Sequence, residues 1–117
     1  MFRKFGFAFS GISIAFKTQS SMRSHVLISI VVIATAFFLK VSITEWCFLF
    51  LCIGLVWAGE LINTAIESIV DLCSPDKHPL AGKAKDTAAA AVLILSILSI
   101  IIGCIIFIPK ILNLIGT

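Results

Sequence analysis

The chain has 117 residues, of which 60% are hydrophobic and 13% charged, with a formal net charge of +3 and a mean hydropathy of +1.16. That length holds one domain at most. A soluble chain of this size cannot hide so much apolar surface, which excludes an ordinary water-soluble domain and makes lipid the solvent for most of it. The expected fold class is therefore all-α and integral to a membrane. No cleavable signal peptide is visible, because no apolar core is followed by a small-residue cleavage site. Cys47, Cys52, Cys73 and Cys104 show neither a CxxC pair nor metal-ligand spacing, and read as small hydrophobes.

Residues 2–22 interleave Phe2, Phe5, Phe7, Phe9, Ile12, Ile14 and Phe16 with Arg3, Lys4, Ser10, Lys17 and Gln19. This is too polar to span a bilayer. It suits an amphipathic helix lying in the interface, aromatics down and cations at the headgroups. Residues 26–43 form the first spanning segment, with Arg23 and His25 before it and Lys40 near its far end. His25 and His78 are single histidines and read as interface or loop residues rather than ligands.

Residues 46–70 form the second span, with Glu45 and Trp46 as an interface anchor. A helix over 46–71 is about 38 Å long at 1.5 Å per residue. That exceeds a hydrocarbon core of roughly 30 Å, so its last turns emerge from the lipid. Those turns carry Glu60-Leu61-Ile62-Asn63-Thr64-Ala65-Ile66-Glu67-Ser68-Ile69-Val70-Asp71. At 100° per residue, Glu60, Asn63, Glu67 and Asp71 fall within an arc of roughly 80°. Three acids and an amide share one stripe, with Glu60 the deepest. An acid inside a membrane helix costs about 2.5 kcal/mol or more and marks a functional residue by default.

Residues 72–86 are the one strongly polar stretch, where Pro75, Pro79 and Gly82 read as helix breakers and Asp86 as a cap for the next helix. The third span covers 87–108, opens with four alanines suited to close helix contact, and ends at Pro109. Arg3, Lys4, Lys17, Arg23, Lys77, Lys83 and Lys85 lie on one side of the membrane, Lys40 and Lys110 on the other. The positive-inside rule then places the N-terminus and the 72–86 loop in the cytoplasm and the C-terminus outside. The acidic stripe therefore ends on the face where ATP is found. Carboxylates in a stripe can hold Mg²⁺, a separate carboxylate can take a hydroxyl proton, and Lys83 and Lys85 can offset phosphate charge. These are parts of a phosphoryl-transfer site, although no Walker loop or protein-kinase signature is present. The same Glu60 could instead serve a small proton-coupled transporter, but the acids cluster toward one face rather than at the midplane.

The stripe from Glu60 to Asp71, followed by His78-Pro79-Leu80-Ala81-Gly82-Lys83-Ala84-Lys85-Asp86 and Ala90-Ala91-Val92, resembles the small integral-membrane prokaryotic diacylglycerol kinase/undecaprenol kinase family. The combination is highly specific, and the resemblance covers nearly the whole chain. It implies an interfacial helix with three spans, assembled as a homotrimer in the bacterial inner membrane. It implies transfer of the ATP γ-phosphate to a lipid hydroxyl with Mg²⁺, the acceptor being diacylglycerol, giving phosphatidic acid, or alternatively undecaprenol. No nucleic-acid partner is expected. By position, Glu60 matches the general base and Asn63 a polar residue supporting it. Glu67 matches a metal and ATP ligand, and Asp71 an acid lining the nucleotide site. Asp76, Lys77 and His78 match a nucleotide-contacting loop, and Lys85 and Asp86 the residues that hold phosphates and adenosine. Gln19 stands where the family usually has a glutamate that joins Glu67 at the metal. Its amide oxygen can ligate Mg²⁺ but brings no charge, so weaker metal binding is expected.

Overall fold

The computed structural model describes residues 2–116, and among these the secondary structure is entirely helical. Helix α1 covers Phe2–Thr18, α2 Ser20–Leu39, α3 Ile43–Cys73 and α4 Pro79–Leu114. The last three are long and apolar enough to cross a membrane.

The first two helices are divided at Gln19, whose φ of −112° and ψ of 115° are extended. The break thus falls inside the stretch 2–22 that the sequence reads as one helix. Arg23 explains how the joint holds. Its Nη1 donates to the carbonyls of Phe16 at 2.9 Å and Lys17 at 3.1 Å. These are orphan acceptors at the negative end of α1, where a cation is favoured. The phenylalanines of α1 are exposed, and only Ala15 of this helix is buried.

The turn between α2 and α3 closes as a Schellman motif, with Val41 N–H donating to Ala36 O and Lys40 N–H to Phe37 O, each at 3.3 Å. Lys40 takes the left-handed conformation there, φ 53° and ψ 54°, in place of the usual glycine. Ser42 and Glu45 then form a capping box. Glu45 N–H donates to Ser42 Oγ at 3.2 Å, and Ser42 N–H donates to Glu45 Oε1 at 2.9 Å. The same Oε1 lies 3.0 Å from Lys110 Nζ, which ties the start of α3 to the far end of α4.

Helix α4 begins eight residues before the apolar span expected from 87. His78, not Asp86, is its N-cap, and its Nδ1 accepts from Leu80 N–H at 3.1 Å. Pro79 occupies the first turn, where its missing N–H costs nothing. Gly82 sits inside the helix and breaks nothing. Pro109 also lies inside α4, which continues to Leu114. A proline removes one backbone bond, and the apolar residues beyond it are sufficient to carry the helix on.

Cross-links fix the topology. Ser21 meets Glu60 and Ser29 meets Trp57, so α2 and α3 are antiparallel. Glu45 meets Lys110 and Asp71 meets Lys85, so α3 and α4 are antiparallel too. The tightest seam runs between α3 and α4 at Gly59. A β-carbon built there would stand 2.6 Å from Leu95 Cδ1, so the end of the Leu95 side chain fills the space that a Cβ would need. At the Lys40 end, Ala36, Val41, Leu49 and Ile106 form a small core covered by Trp46 and Phe107. Trp46 stacks on Phe50 at 5.4 Å and meets Phe37 edge-on at 4.9 Å.

The seam makes a direct prediction. Gly59→Ile, branched at Cβ, overpacks it and destabilises the detergent-solubilised protein by about 1–3 kcal/mol. Adding Leu95→Ala removes the colliding atom and recovers part of the lost thermal midpoint. Equal midpoints for wild type and Gly59→Ile would show that the seam is loose.

Candidate functional site

The acidic stripe is one continuous face of α3, and its members sit in three different surroundings. Glu60 is the deepest, only 4% exposed. It lies fifteen residues beyond Glu45, about 22 Å along the helix. Ser21 Oγ donates to its Oε1 at 2.8 Å, and His25 Nε2 lies 3.4 Å from its Oε2. Both residues come from α2, four positions apart and therefore on one face. Burying a carboxylate is unfavourable unless polar partners face it, and α2 supplies a hydroxyl donor and an imidazole.

One turn on, Asn63 is also buried. Its Nδ2 donates to Glu67 Oε1 at 2.9 Å, while its Oδ1 is buried without a partner among the described residues. The amide is thus oriented by Glu67, with its oxygen left as a free acceptor. Glu67 is half-buried.

Asp71 is near the C-terminal end of α3 and is exposed. Its Oδ1 lies 2.5 Å from Lys85 Nζ, and both side chains are substantially exposed. They border an open depression of about 520 Å³ that also takes in Asp76, Lys77 and His78 from the turn before α4. Ser74 Oγ donates to Asp76 O at 2.9 Å and shapes that turn.

The structure therefore joins Glu60 to α2, Asn63 to Glu67, and Asp71 to Lys85 beside Asp76, Lys77 and His78. Asp86 is exposed on α4, one residue beyond Lys85. Gln19 is half-buried at the α1–α2 joint and makes no side-chain cap bond to α2. Among the described residues no three of His, Cys, Asp and Glu gather as a metal cluster.

The sequence reading missed Ser21 and His25. His25 reads as an interface residue when seen alone, but it is half-buried and faces the deepest acid. The signal was available in the i, i+4 pair of polar residues at the start of an apolar span, which is the kind of partner a buried acid requires. A second hollow, about 340 Å³, lies between α2, α3 and α4 and is lined by His25, Ser29, Val56, Trp57, Ser96 and Phe107 among others.

The comparison with known proteins is decisive for the family. Residues 6–107 match the model for prokaryotic diacylglycerol kinase. The chain belongs to this family. It is 42% identical over 109 residues to an undecaprenol kinase of Bacillus subtilis, covering 93% of this chain and 89% of the relative. It is 40% identical over 111 residues to a diacylglycerol kinase of Synechocystis, covering 94% of this chain and 63% of the relative. A diacylglycerol kinase of Escherichia coli is 32% identical over 100 residues, with 86% and 82% coverage. The chain is thus a lipid kinase, a multi-pass membrane phosphotransferase, as the resemblance implied, and not a transporter.

The setting of Glu60 predicts an asymmetry between substitutions. Glu60→Gln keeps an acceptor for Ser21 and a similar shape, so the thermal midpoint changes little. Glu60→Ala removes the acceptor of Ser21 and the partner of the half-buried His25, and costs about 0.5–1.5 kcal/mol. Equal midpoints for the two variants would show that α2 does not depend on this carboxylate.

Proposed function

We propose that this lipid kinase transfers the γ-phosphate of ATP to the hydroxyl of a membrane lipid, using Mg²⁺, at the cytoplasmic face of the bacterial inner membrane. The observation that carries the reading is the depth order along one face of α3. Glu60 is buried at lipid depth, Glu67 lies seven residues on, about 10 Å nearer water, and Asp71 borders an open depression with Lys85. A lipid hydroxyl and a nucleotide phosphate approach from opposite media, and such a gradient receives both.

The roles follow from the surroundings. Glu60 is the base: as the new O–P bond forms, the hydroxyl O–H bond breaks and the proton goes to its carboxylate, while ADP departs. Lys85 offers charge to the phosphates. Its exposed pairing with Asp71 is weak, so the ammonium can exchange one anion for another. Asp76, Lys77, His78 and Asp86 surround the nucleotide from the turn and the first part of α4.

The donors present fit Mg²⁺. Glu67 and the unpartnered Oδ1 of Asn63 are hard oxygen ligands side by side, and Gln19 is the third candidate. So few protein ligands suit an ion that keeps several waters and binds phosphate oxygens. When bound, Mg²⁺ supplies neutralisation of the phosphate charge.

The orientation rests on the basic residues. Lys40 and Lys110 flank the Glu45 end, and Arg23, Lys77, Lys83 and Lys85 flank the other, which is the cytoplasmic end by the positive-inside rule. Helix α1 then lies along the cytoplasmic headgroups with its phenylalanines in lipid. A homotrimer, implied by the family resemblance, gives the faces of α4 a neighbour, since only 6% of its apolar window is buried within the chain.

The sequence reading put diacylglycerol first as acceptor. The Bacillus subtilis relative, matched over nearly the full length of both chains, favours undecaprenol. The Synechocystis relative keeps diacylglycerol as a second reading.

The test is transfer of radiolabelled γ-phosphate from ATP in mixed micelles with Mg²⁺, offering undecaprenol and diacylglycerol in parallel. Label is expected on undecaprenol by a wide margin, and Glu60→Gln is expected to abolish transfer while still binding nucleotide. A Glu60→Gln variant with wild-type rate would remove the base assignment, and label on diacylglycerol alone would reverse the acceptor. In the same assay, Gln19→Glu is expected to lower the Mg²⁺ concentration needed for half-maximal rate. An unchanged Mg²⁺ dependence would take Gln19 out of the metal site.

A further inference from the structure

The imidazole beside Glu60 has no part in the reaction described above. We propose that His25, with Ser21, is a positioning residue that sets the direction of the Glu60 carboxylate. The proposal rests on the reading of Glu60 as the base.

The two carboxylate oxygens are addressed differently. Oε1 accepts a full hydrogen bond from Ser21 at 2.8 Å. Oε2 faces His25 Nε2 at 3.4 Å, longer than a well-formed bond between nitrogen and a carboxylate. Ser21 therefore fixes one oxygen, and the other remains able to receive a proton from a lipid hydroxyl. The ring keeps this second oxygen in place without closing it off. A buried carboxylate with no such partner would turn to another donor and lose the direction that a base needs.

The position of His25 is itself held. Ser29, one turn further along α2, is buried. It donates to the carbonyl of His25 at 2.7 Å and accepts from Trp57 Nε1 at 2.9 Å. Trp57 is on α3, three residues before Glu60. Helix α2 is thus pinned to α3 by two polar links one turn apart, and the rotation that aims His25 at Glu60 is fixed by Ser29 and Trp57. His25 also forms the polar end of the apolar hollow that runs between α2, α3 and α4 toward Phe107 and Ile108.

A histidine that merely neutralises a buried acid would be structural, and three measurements on the full-length protein separate the two roles. In the first, kinetic constants are compared for His25→Ala and His25→Gln. The glutamine amide nitrogen reaches the place of Nε2, so it restores a donor without a ring. His25→Ala is expected to lower kcat by about 10²-fold, with KM for ATP unchanged within a factor of about two. His25→Gln is expected to recover most of that loss. A wild-type kcat in His25→Ala would overturn the proposal, as would an equal loss in both variants accompanied by a fall in thermal midpoint and a rise in KM for ATP.

The second measurement needs no turnover. The chain has two histidines, so ¹⁵N labelling of histidine gives two imidazole signatures, and the one that vanishes in His25→Gln is His25. That signature is expected to move in Glu60→Gln while the other stays. A signature that does not move overturns the pairing itself. The third is the rate of Glu60→Gln itself, which is expected to be abolished whether or not His25→Ala is added. If the ring signature moves in Glu60→Gln but that variant keeps its full rate, the failure lies in the base assignment and not in the contact between the two side chains.

Discussion

The arrangement depends on one constraint: a carboxylate is buried in a helix whose other faces are apolar. Glu60 cannot be left alone there, because an unpaired buried charge is far more costly than the packing around it returns. Helix α2 resolves this by presenting Ser21 and His25 on one face, and the resolution has a structural consequence. The contact between α2 and α3 is otherwise sparse, so two polar links, at Glu60 and at Trp57, set the register of the pair. The group with the most chemical potential in the chain is also the one that positions the helix beside it.

The remainder of the architecture follows from lipid as solvent. Between helices in a bilayer there is no hydrophobic drive, so association rests on close approach and on polar links at defined points. Gly59 leaves room for the Leu95 side chain between α3 and α4. The capping box of Ser42 and Glu45, extended to Lys110, closes one end, and Arg23 folds back onto α1 at the other. The small core of Ala36, Leu49 and Ile106 lies toward the Lys40 end. At the other end Ala15, Met22 and Ala88 are buried beside the hydrogen bonds that converge on Glu60.

The acidic stripe, the three spans and their order were legible in the sequence, because a period of 3.6 and a run of apolar residues are local properties. The joint at Gln19 was not, since no proline or glycine marks it. It is stabilised by Arg23, seven residues from one of the carbonyls it caps. The start of α4 was misplaced for a related reason. Gly82 and Asp86 look like loop residues, yet helix length in this chain is set by what lies on either side, and a histidine cap with a following proline is enough to begin the helix early. His25 was passed over because its significance comes from a residue 35 positions away. A single histidine carries no signal in sequence. It gains one when a buried acid elsewhere demands a partner and the antiparallel register brings the two together.

The depth order along α3 explains why one helix carries most of the proposed reaction. A lipid hydroxyl is confined near the membrane surface and a nucleotide cannot enter the hydrocarbon, so the two reacting atoms meet only within a thin layer. A helix crossing that layer at 1.5 Å per residue grades its side chains from apolar to aqueous surroundings without any loop. In the proposed reading Glu60 is on the lipid side, Asn63 and Glu67 are within the layer, and Asp71 with Lys85 is on the water side. Moving any of these by one residue rotates it about 100° off the face, and moving it by a full turn changes its medium. The spacing of the stripe is therefore constrained twice, by direction and by depth. Loops tolerate insertion, but a helix segment under both constraints does not. The permissive part of the chain is the tip of α1, whose side chains face outward and meet neither constraint.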